Sequence, residues 1–228
     1  MSTVKQDTRT RDILGTSALR PDGVAKVMGS FSFSSDMWAE NMLWGATLRS
    51  PHPYARIISI DTTAALLISG VSAVITAQDV PGKATYGLIS ADQPVFASDF
   101  VRYMGEPVAA VAADHPETCR RALAAIIVNY EVLTPIVDPE LAMLVTTEQI
   151  HPDGNLIRHQ KIICGDPHIS GDITVEGHYT IGMQDQAFLG LEAAMAFPDL
   201  GGNGVELHIA TQWLHEDRGQ IAACLKLP

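Results

Sequence analysis

One stretch near the middle of the chain constrains the fold more than any other. Residues 108–113 are a run of small apolar side chains without alternation, which is typical of a strand buried on both faces. Pro107 has no N–H to donate to a ladder, so it can only begin this strand. Asp114 lies two residues before a proline and three before a glutamate, which is the pattern of a helix N-cap with a capping box. Because β-branched residues resume at 126–128, the stretch predicts a strand–helix–strand unit.

A similar unit precedes it. Residues 57–60 predict a strand and residues 62–68 a short helix, closed by Gly70 as its C-cap. Residues 71–76 return to strand character. The repetition predicts that the two units lie in one sheet. Two earlier strands are predicted at residues 29–36, where Phe31 and Phe33 alternate with serine, and at residues 42–48.

The second half of the chain has a different composition. Residues 135–172 are interrupted by Pro and Gly and have little periodicity, which predicts a linker. Strands are predicted at residues 174–180, 193–197 and 205–210, with the glycine-rich segment 201–204 forming a hairpin turn between the last two. Residues 214–225 predict a helix with Leu214, Ile221 and Leu225 on one face, although Gly219 costs it about 1 kcal/mol relative to alanine.

Composition excludes several classes of protein. The chain has 15 basic and 26 acidic residues, a formal net charge of −11 and no basic cluster, which argues against binding to nucleic acid phosphates. No apolar run approaches the ~20 residues that span a bilayer, and residues 1–12 lack the apolar core of a secretory signal. The three cysteines are widely spaced, which favours a reducing compartment over a disulfide framework. We therefore predict a cytoplasmic protein with an apolar core.

Four segments in chain order carry a resemblance to a known family. They are residues 20–29 (RPDG with KVMG), 48–61 (LRSPHPYARIISID), 70–82 (GVSAVITAQDVPG), and 101–138, which contains VRYMGEPVAAVAAD and RRALAAIIVNYEVLTPIVD. Together they resemble the hammerhead domain of the xanthine dehydrogenase and aldehyde oxidase family. Residues 182–199 and 205–228 look like the opening of the first molybdenum-cofactor domain of the same family.

The resemblance implies an α+β fold, in which the aldehyde oxidase/xanthine dehydrogenase hammerhead domain is followed by an incomplete α/β molybdenum-cofactor domain. We expect an N-terminal arm at residues 1–19, the hammerhead domain at 20–135, a linker at 136–172 and the start of the cofactor domain at 173–228. The glycine-rich loop and the base glutamate of the family are expected beyond Pro228.

The implied activity is that of a molybdenum hydroxylase. The chain would be the N-terminal portion of the molybdopterin-binding subunit, and the complex would oxidatively hydroxylate a purine, an N-heterocycle or an aldehyde with water as the oxygen source. Three isolated cysteines do not build a four-thiolate cluster. The two iron–sulfur clusters and the FAD of the family are therefore expected on an iron–sulfur subunit and an FAD subunit. The remaining molybdenum-cofactor domains are expected from the same gene or a split chain, and the isolated chain is expected to be inactive.

Gln184 is the one cofactor-binding residue that the resemblance carries over. In the family, a glutamine at this position donates an amide N–H to the apical oxo group of the molybdenum, and a neutral donor stabilises such a centre without competing as a ligand. Two departures lie nearby: Gln186 stands where relatives often have His, and Gly190-Leu191 stands where they often have Glu-Pro. Glu192 is displaced by two positions from the usual acid, so we interpret it as structural.

Other chemistry has weaker support. His151, His159, Cys164, His168 and His178 fall in one window, but no pair has the i, i+4 spacing of a zinc-binding helix. A zinc hydrolase built on this window is one alternative function. Residues 201–204 lack the pattern of a dinucleotide loop, no Gly-x-Ser-x-Gly nucleophile elbow occurs, and Cys119 is interpreted as core packing.

A second alternative is a non-catalytic docking module, in which the hammerhead domain serves as an assembly surface for iron–sulfur and flavin subunits. In either case the faces at residues 193–197 and 221–225 would expose apolar side chains. We therefore expect the isolated chain to be poorly soluble or oligomeric.

Overall fold

A computed structural model provides the structure, and it describes residues 15, 17, 19–144, 146–151, 153–166, 168–169, 171–187, 192–199, 201 and 203–228. The chain forms two compact units. The smaller comprises Met1–Met37, Phe188–Pro198 and Val205–Ala210, and the larger comprises Trp38–Ala187, Asp199–Gly204 and Thr211–Pro228. No helix within the described ranges has the length and apolar character needed to cross a membrane.

Helices and strands are mixed along the described residues, as expected for the predicted α+β class. The helices are α1 (Gly23–Val27), α2 (Thr63–Leu66), α3 (Pro116–Ala125), α4 (Pro139–Ala142) and α5 (Leu214–Leu225), with short 3-10 turns at Ser34–Asp36 and Ala77–Asp79. The strands are β1 (Trp44–Arg49), β2 (Ala55–Asp61), β3 (Val71–Thr76), β4 (Thr85–Tyr86), β5 (Gln93–Pro94), β6 (Phe100–Val101), β7 (Pro107–Ala113), β8 (Ile127–Val132), β9 (Ala194–Pro198) and β10 (Val205–Ile209).

Two three-stranded sheets form the body of the larger unit, with strand orders β1-β7-β3 and β6-β2-β8, and every pairing is antiparallel. The prediction that both strand–helix–strand units lie in one sheet is wrong. Helices α2 and α3 each carry the chain from one sheet to the other. As a result β2 pairs with β8, and β3 pairs with β7, so each sheet takes one strand from each unit. Closely spaced apolar runs show that strands exist, but they do not encode which strands pair.

Strand β7 is the centre of the core, and Pro107 is its first residue as predicted. Val108, Ala109, Val111 and Ala113 are all buried, which confirms the strand buried on both faces. Ala65 of α2 and Ala122 of α3 pack in the same cluster as Val111. Small side chains let both helices approach the sheet closely, and burial of a valine contributes about 1.5–3 kcal/mol.

Helix α3 begins one residue later than predicted. His115, not Asp114, is the N-cap: its backbone is extended and its Nδ1 accepts the N–H of Glu117 at 3.1 Å. Pro116 occupies the first helical position, and a residue before proline is driven out of the helical region, so His115 takes the capping position. The predicted C-cap at Gly70 is also wrong, because α2 ends at Leu66 with Leu67 as its cap.

Two other strand predictions fail. Residues 29–36 form no strand in the structure; Phe31 and Phe33 pack against each other edge to face at 4.9 Å, and Lys26 Nζ lies 4.6 Å from the Phe31 ring centroid. Residues 174–180 form no strand either, because no neighbouring strand among the described residues pairs with them. A strand requires a ladder partner, which an alternating pattern alone does not supply.

The later elements follow the sequence prediction more closely. Strands β9 and β10 pair as an antiparallel hairpin, closed by the N–H of Asp199 donating to the carbonyl of Gly204 at 3.0 Å. In the smaller unit, Ser34 Oγ donates to the carbonyl of Ala193 at 2.8 Å beside this hairpin. Helix α5 spans the predicted residues. The predicted linker contains α4, capped by Asp138, which accepts N–H groups of the first turn.

Candidate functional site

Gln184 lies in an extended segment, residues 171–187, that is exposed throughout. Its Nε2 donates to the carbonyl of Gly182 at 3.2 Å. An amide nitrogen has two N–H groups, so this contact leaves one donor for a further acceptor. A neutral amide donor suits an anionic oxygen acceptor of a cofactor. Gln184 itself is exposed to solvent in the structure.

The two departures beside Gln184 are only partly described. Gln186 and Glu192 are both exposed, and Glu192 precedes strand β9. Gly190-Leu191 lies outside the described residues. The side chains of Gln186 and Glu192 therefore both face solvent.

The window of histidines does not form a cluster. No group of three or more His, Cys, Asp or Glu side chains among the described residues is arranged to hold a metal ion. His151 Nδ1 lies 3.6 Å from a carboxylate oxygen of Asp92, and His178 Nε2 lies 3.4 Å from Thr180 Oγ1. Cys164 is exposed. The described members of the window thus make local contacts rather than a shared site.

Cys119 is a core residue, as the sequence predicts. It is buried in the cluster around β7, and its Sγ donates to the carbonyl of Trp44 at 3.1 Å. Burial raises the pKa of the thiol. A buried thiol with a raised pKa is a poor nucleophile, so Cys119 supports packing and not chemistry.

Glu106 is a buried carboxylate that sequence reasoning did not single out. Its side chain is 2% exposed and accepts the backbone N–H of Arg102 through Oε2. Its carbonyl accepts the N–H of Ser50 at 2.9 Å, and the N–H of Gly105 donates to the carbonyl of Ser50 at 2.9 Å. Desolvation raises the pKa of Glu106. The available signal was a glutamate between glycine and proline directly before a strand buried on both faces.

These contacts give Glu106 a structural role. Its carboxylate fixes the turn before β7, and its main chain joins that turn to the turn after β1, where Arg49 Nη1 also donates to the carbonyl of Gly105 at 2.9 Å. Each acceptor oxygen that takes a backbone N–H satisfies a donor that would otherwise be costly to bury. Glu106 therefore stabilises the junction of two loops.

Cavities among the described residues of the larger unit offer other candidate sites. One, of about 450 Å³, is lined by parts of β2, β3 and the turn after β3, including Ser59, Thr76 and Asp79. Another, of about 360 Å³, lies between Tyr86 and Val95 on one side and Ile221, Cys224 and Leu225 of α5 on the other. Gln184 lines neither of these cavities.

The loop before β4 contacts the end of α5 through main-chain atoms. The N–H of Gly82 donates to the carbonyl of Cys224 at 2.9 Å, and the N–H of Lys83 donates to the carbonyl of Ala223 at 2.9 Å. Lys226 caps the helix in the left-handed conformation, with φ of 56°. The helix terminus is therefore fixed both by its own cap and by a distant loop.

Comparison with known proteins agrees with the sequence resemblance. The family model described as "Aldehyde oxidase and xanthine dehydrogenase, a/b hammerhead domain" matches residues 28–134. A probable xanthine dehydrogenase subunit of Bacillus subtilis (strain 168) is 36% identical over 215 residues, which are 93% of this chain and 29% of that protein. The "Nicotinate dehydrogenase large molybdopterin subunit" of Eubacterium barkeri is 35% identical over 219 residues, which are 95% of this chain and 51% of that protein.

A solved structure extends the agreement to the fold. The aldehyde oxidoreductase from Desulfovibrio gigas matches with a TM-score of 0.81 at 27% identity, over 92% of this chain and 25% of that chain. This chain therefore spans about half or less of the length of these relatives. The match covers the antiparallel sheets around β7 and also the residues beyond them. Residues 28–134 therefore belong to the hammerhead domain of the aldehyde oxidase and xanthine dehydrogenase family, and the chain is similar to these relatives over more than nine tenths of its length.

Proposed function

We propose that the chain supplies the hammerhead domain and the opening of the cofactor domain of a molybdenum hydroxylase. The reaction would be the oxidative hydroxylation of a purine, an N-heterocycle or an aldehyde, with water as the oxygen source. One observation carries the proposal: 92% of the chain superimposes on an aldehyde oxidoreductase with a TM-score of 0.81. A likeness over only the hammerhead region would support the docking role equally well.

Within this function, Gln184 would be the residue of this chain that faces the cofactor. The molybdenum cofactor, when bound, supplies the redox chemistry and the Lewis acidity of the reaction. Gln184 keeps one N–H besides the one donated to Gly182. That N–H would donate to an oxygen acceptor on the cofactor and orient it without adding a charge. Because residues 171–187 are exposed, we propose that the enclosing pocket comes from polypeptide outside this chain.

The proposed complex has further components. We propose an iron–sulfur subunit and an FAD subunit as partners, together with the remaining molybdenum-cofactor domains. The names of the relatives support this arrangement, since both relatives are described as subunits and one of them as a large molybdopterin subunit. The exposed apolar side chains of residues 171–187, among them Ile173, Val175 and Ile181, are suited to burial against such polypeptide.

The test is a tagged copy of the chain expressed in its native host and purified under mild conditions. We expect near-stoichiometric molybdenum, flavin and iron–sulfur partners, and a polypeptide that carries the remaining cofactor domains. The readouts are metal analysis, the flavin absorbance spectrum and the identity of every co-purifying polypeptide.

Two other outcomes have distinct meanings. Flavin and iron–sulfur partners without molybdenum would contradict the hydroxylase and support the non-catalytic docking module. Stoichiometric zinc without these partners would contradict both and support the hydrolase alternative. A matched control is the same tagged chain with Glu106→Ala, because disrupting the junction before β7 should abolish capture of the partners.

A further inference from the structure

The C-terminal turn of α5 is satisfied in an unusual way. The last four carbonyls of a helix have no partners within the helix. Here the N–H of Leu227 donates to the carbonyl of Ala222 at 2.9 Å, which is the helix's own cap. The carbonyl of Cys224 accepts the N–H of Gly82, and that of Ala223 accepts the N–H of Lys83 besides the cap's own N–H from Lys226 at 3.4 Å. Gly82 and Lys83 lie more than 130 residues earlier in the sequence.

Position 82 requires glycine because the backbone of α5 occupies the space that a side chain would need. A Cβ at Gly82 would lie 2.0 Å from the carbonyl oxygen of Ala223 and 2.8 Å from that of Cys224. Neither atom is the end of a flexible side chain, so the backbone of the loop or of the helix would have to move. The two segments therefore approach closely enough to leave no room for a side chain at position 82.

The side chains of α5 border a cavity and make a long hydrogen bond to the segment after β4. A cavity of about 360 Å³ separates Tyr86 and Val95 from Ile221, Cys224 and Leu225. The Nε2 of Gln220 donates to the carbonyl of Gly87 at 3.4 Å, at the long end of a hydrogen bond. The two main-chain hydrogen bonds, each at 2.9 Å, are shorter than this side-chain hydrogen bond.

We propose that Gly82 and Lys83 form a main-chain latch for α5, so that the loop and the helix order and release together as one cooperative unit. The latch joins a loop within the region matched by the hammerhead family model, residues 28–134, to a helix outside it. It does not depend on the proposed catalytic function. It provides a route by which a change in the hammerhead loop reaches a helix more than 130 residues away in sequence.

The test is amide hydrogen exchange measured by NMR on the full chain. In the unaltered protein, the amides of Gly82, Lys83 and residues 218–225 are expected to exchange with one common protection factor. Gly82→Ala should accelerate exchange of Lys83 and of α5 by about tenfold or more, since at least one hydrogen bond is lost. The amides of β7 should keep their protection.

Two variants serve as controls. Gly219→Ala lies within α5, where an added Cβ meets no atom within 4 Å, and it should leave exchange of α5 unchanged or slow it severalfold through higher helix propensity. Gln220→Ala removes the side-chain contact with Gly87 and should change exchange less than threefold.

The proposal is overturned if Gly82→Ala leaves the protection of α5 unchanged, or if Gln220→Ala accelerates exchange as strongly as Gly82→Ala does. If Gly82→Ala unfolds the whole chain, the protection factors of the unaltered protein test the proposal. A common protection factor for Lys83 and α5 supports the latch, and protection factors that differ by tenfold or more overturn it.

Discussion

The backbone N–H of Asp114 donates to the carbonyl of Gly70 at 2.9 Å, and this bond joins the loop after α2 to the loop before α3. Gly70 has a φ of +92°, and a Cβ added there would lie 2.4 Å from a carboxylate oxygen of Asp114. The bond lies next to the end of the β3–β7 ladder, where Val71 pairs with Ala113.

We predict that Gly70→Ala destabilises the fold by about 1 kcal/mol from the left-handed backbone, and by about 1 kcal/mol more because the Asp114 carboxylate must leave its rotamer. Gly105→Ala is a matched control: its φ is also +92°, but no atom lies within 4 Å of an added Cβ. Gly105→Ala should therefore lower the free energy of unfolding only by the backbone contribution of about 1 kcal/mol. Urea unfolding of both variants gives the comparison.

The double variant Gly70→Ala/Asp114→Ala isolates the side-chain part. It should be more stable than the two single changes predict by addition, because the second change removes the carboxylate that obstructs the new methyl group. Strict additivity would show that the Asp114 side chain does not oppose a Cβ at position 70.

Glu106 gives a pH dependence whose sign follows from its environment. Desolvation raises its pKa above the ordinary value of 4.5, although Arg102 and His151 favour the charged form. The folded state therefore holds this proton more tightly than the unfolded state. The contribution of Glu106 to stability is full below about pH 4.5 and is lost as the pH rises through the folded-state pKa.

Glu106→Gln should remove this dependence while keeping an acceptor oxygen for the N–H of Arg102. We expect the free energy of unfolding of the variant, relative to the unaltered chain, to rise as the pH increases from 4.5 through the folded-state pKa of Glu106 and then to level off. Urea unfolding across this range measures it. Glu176→Gln, at an exposed position, should show no such trend, and a flat difference for Glu106→Gln would contradict the assignment.

His115 is predicted to stabilise α3 as its N-cap. Because its Nδ1 accepts the N–H of Glu117, His115→Ala should lower stability by about 1 kcal/mol, and His115→Asn should restore most of the loss. Asp114→Ala should change stability by less than about 0.5 kcal/mol. Thermal unfolding of the three variants measures these effects. A larger loss of stability for Asp114→Ala than for His115→Ala would identify Asp114 as the N-cap, as the sequence pattern predicted.

Residues 171–187 should promote self-association of the isolated chain. Ile173, Val175 and Ile181 alternate along this segment and are each more than 80% exposed, which is typical of surface that is buried against another polypeptide. Replacing the three with threonine should increase the monomer fraction in sedimentation velocity. The matched control changes Thr174, Glu176 and Thr180 to serine, glutamine and serine, and a chain that is monomeric without any change would contradict this prediction.

Local sequence patterns predicted most elements of the larger unit but not their partners. The apolar run at residues 108–113 sufficed for β7 because a strand buried on both faces requires no polar alternation. The pairing of Ala55 with Val132, by contrast, joins β2 and β8 across 77 residues. Such contacts depend on how both helices cross between sheets, which no local pattern contains.

The candidate site shows the same limit more strongly. The resemblance selected Gln184, and a hydrogen bond to Gly182 is the contact that the structure gives it. The alternating residues at 174–180 have the composition of a strand, but a strand forms only when a neighbour supplies hydrogen bonds. Glu106 was missed for a related reason, since its burial results from two turns, at residues 49–50 and 102–106, that are distant in sequence.

The final prediction tests Gln184 in the assembled enzyme. If its amide donates to the cofactor, Gln184→Ala should lower kcat of the purified complex by about 10–100-fold and change KM little, since the lost donor acts on the cofactor and not on substrate binding. Gln184→Asn retains the amide on a shorter side chain and should recover part of the rate. Glu176→Ala, in the same exposed segment, should retain full activity. Molybdenum content must be measured for each variant, so that rates are compared at equal metal loading. An unchanged kcat for Gln184→Ala at equal loading would contradict the cofactor contact and leave Gln184 with only its structural hydrogen bond to Gly182.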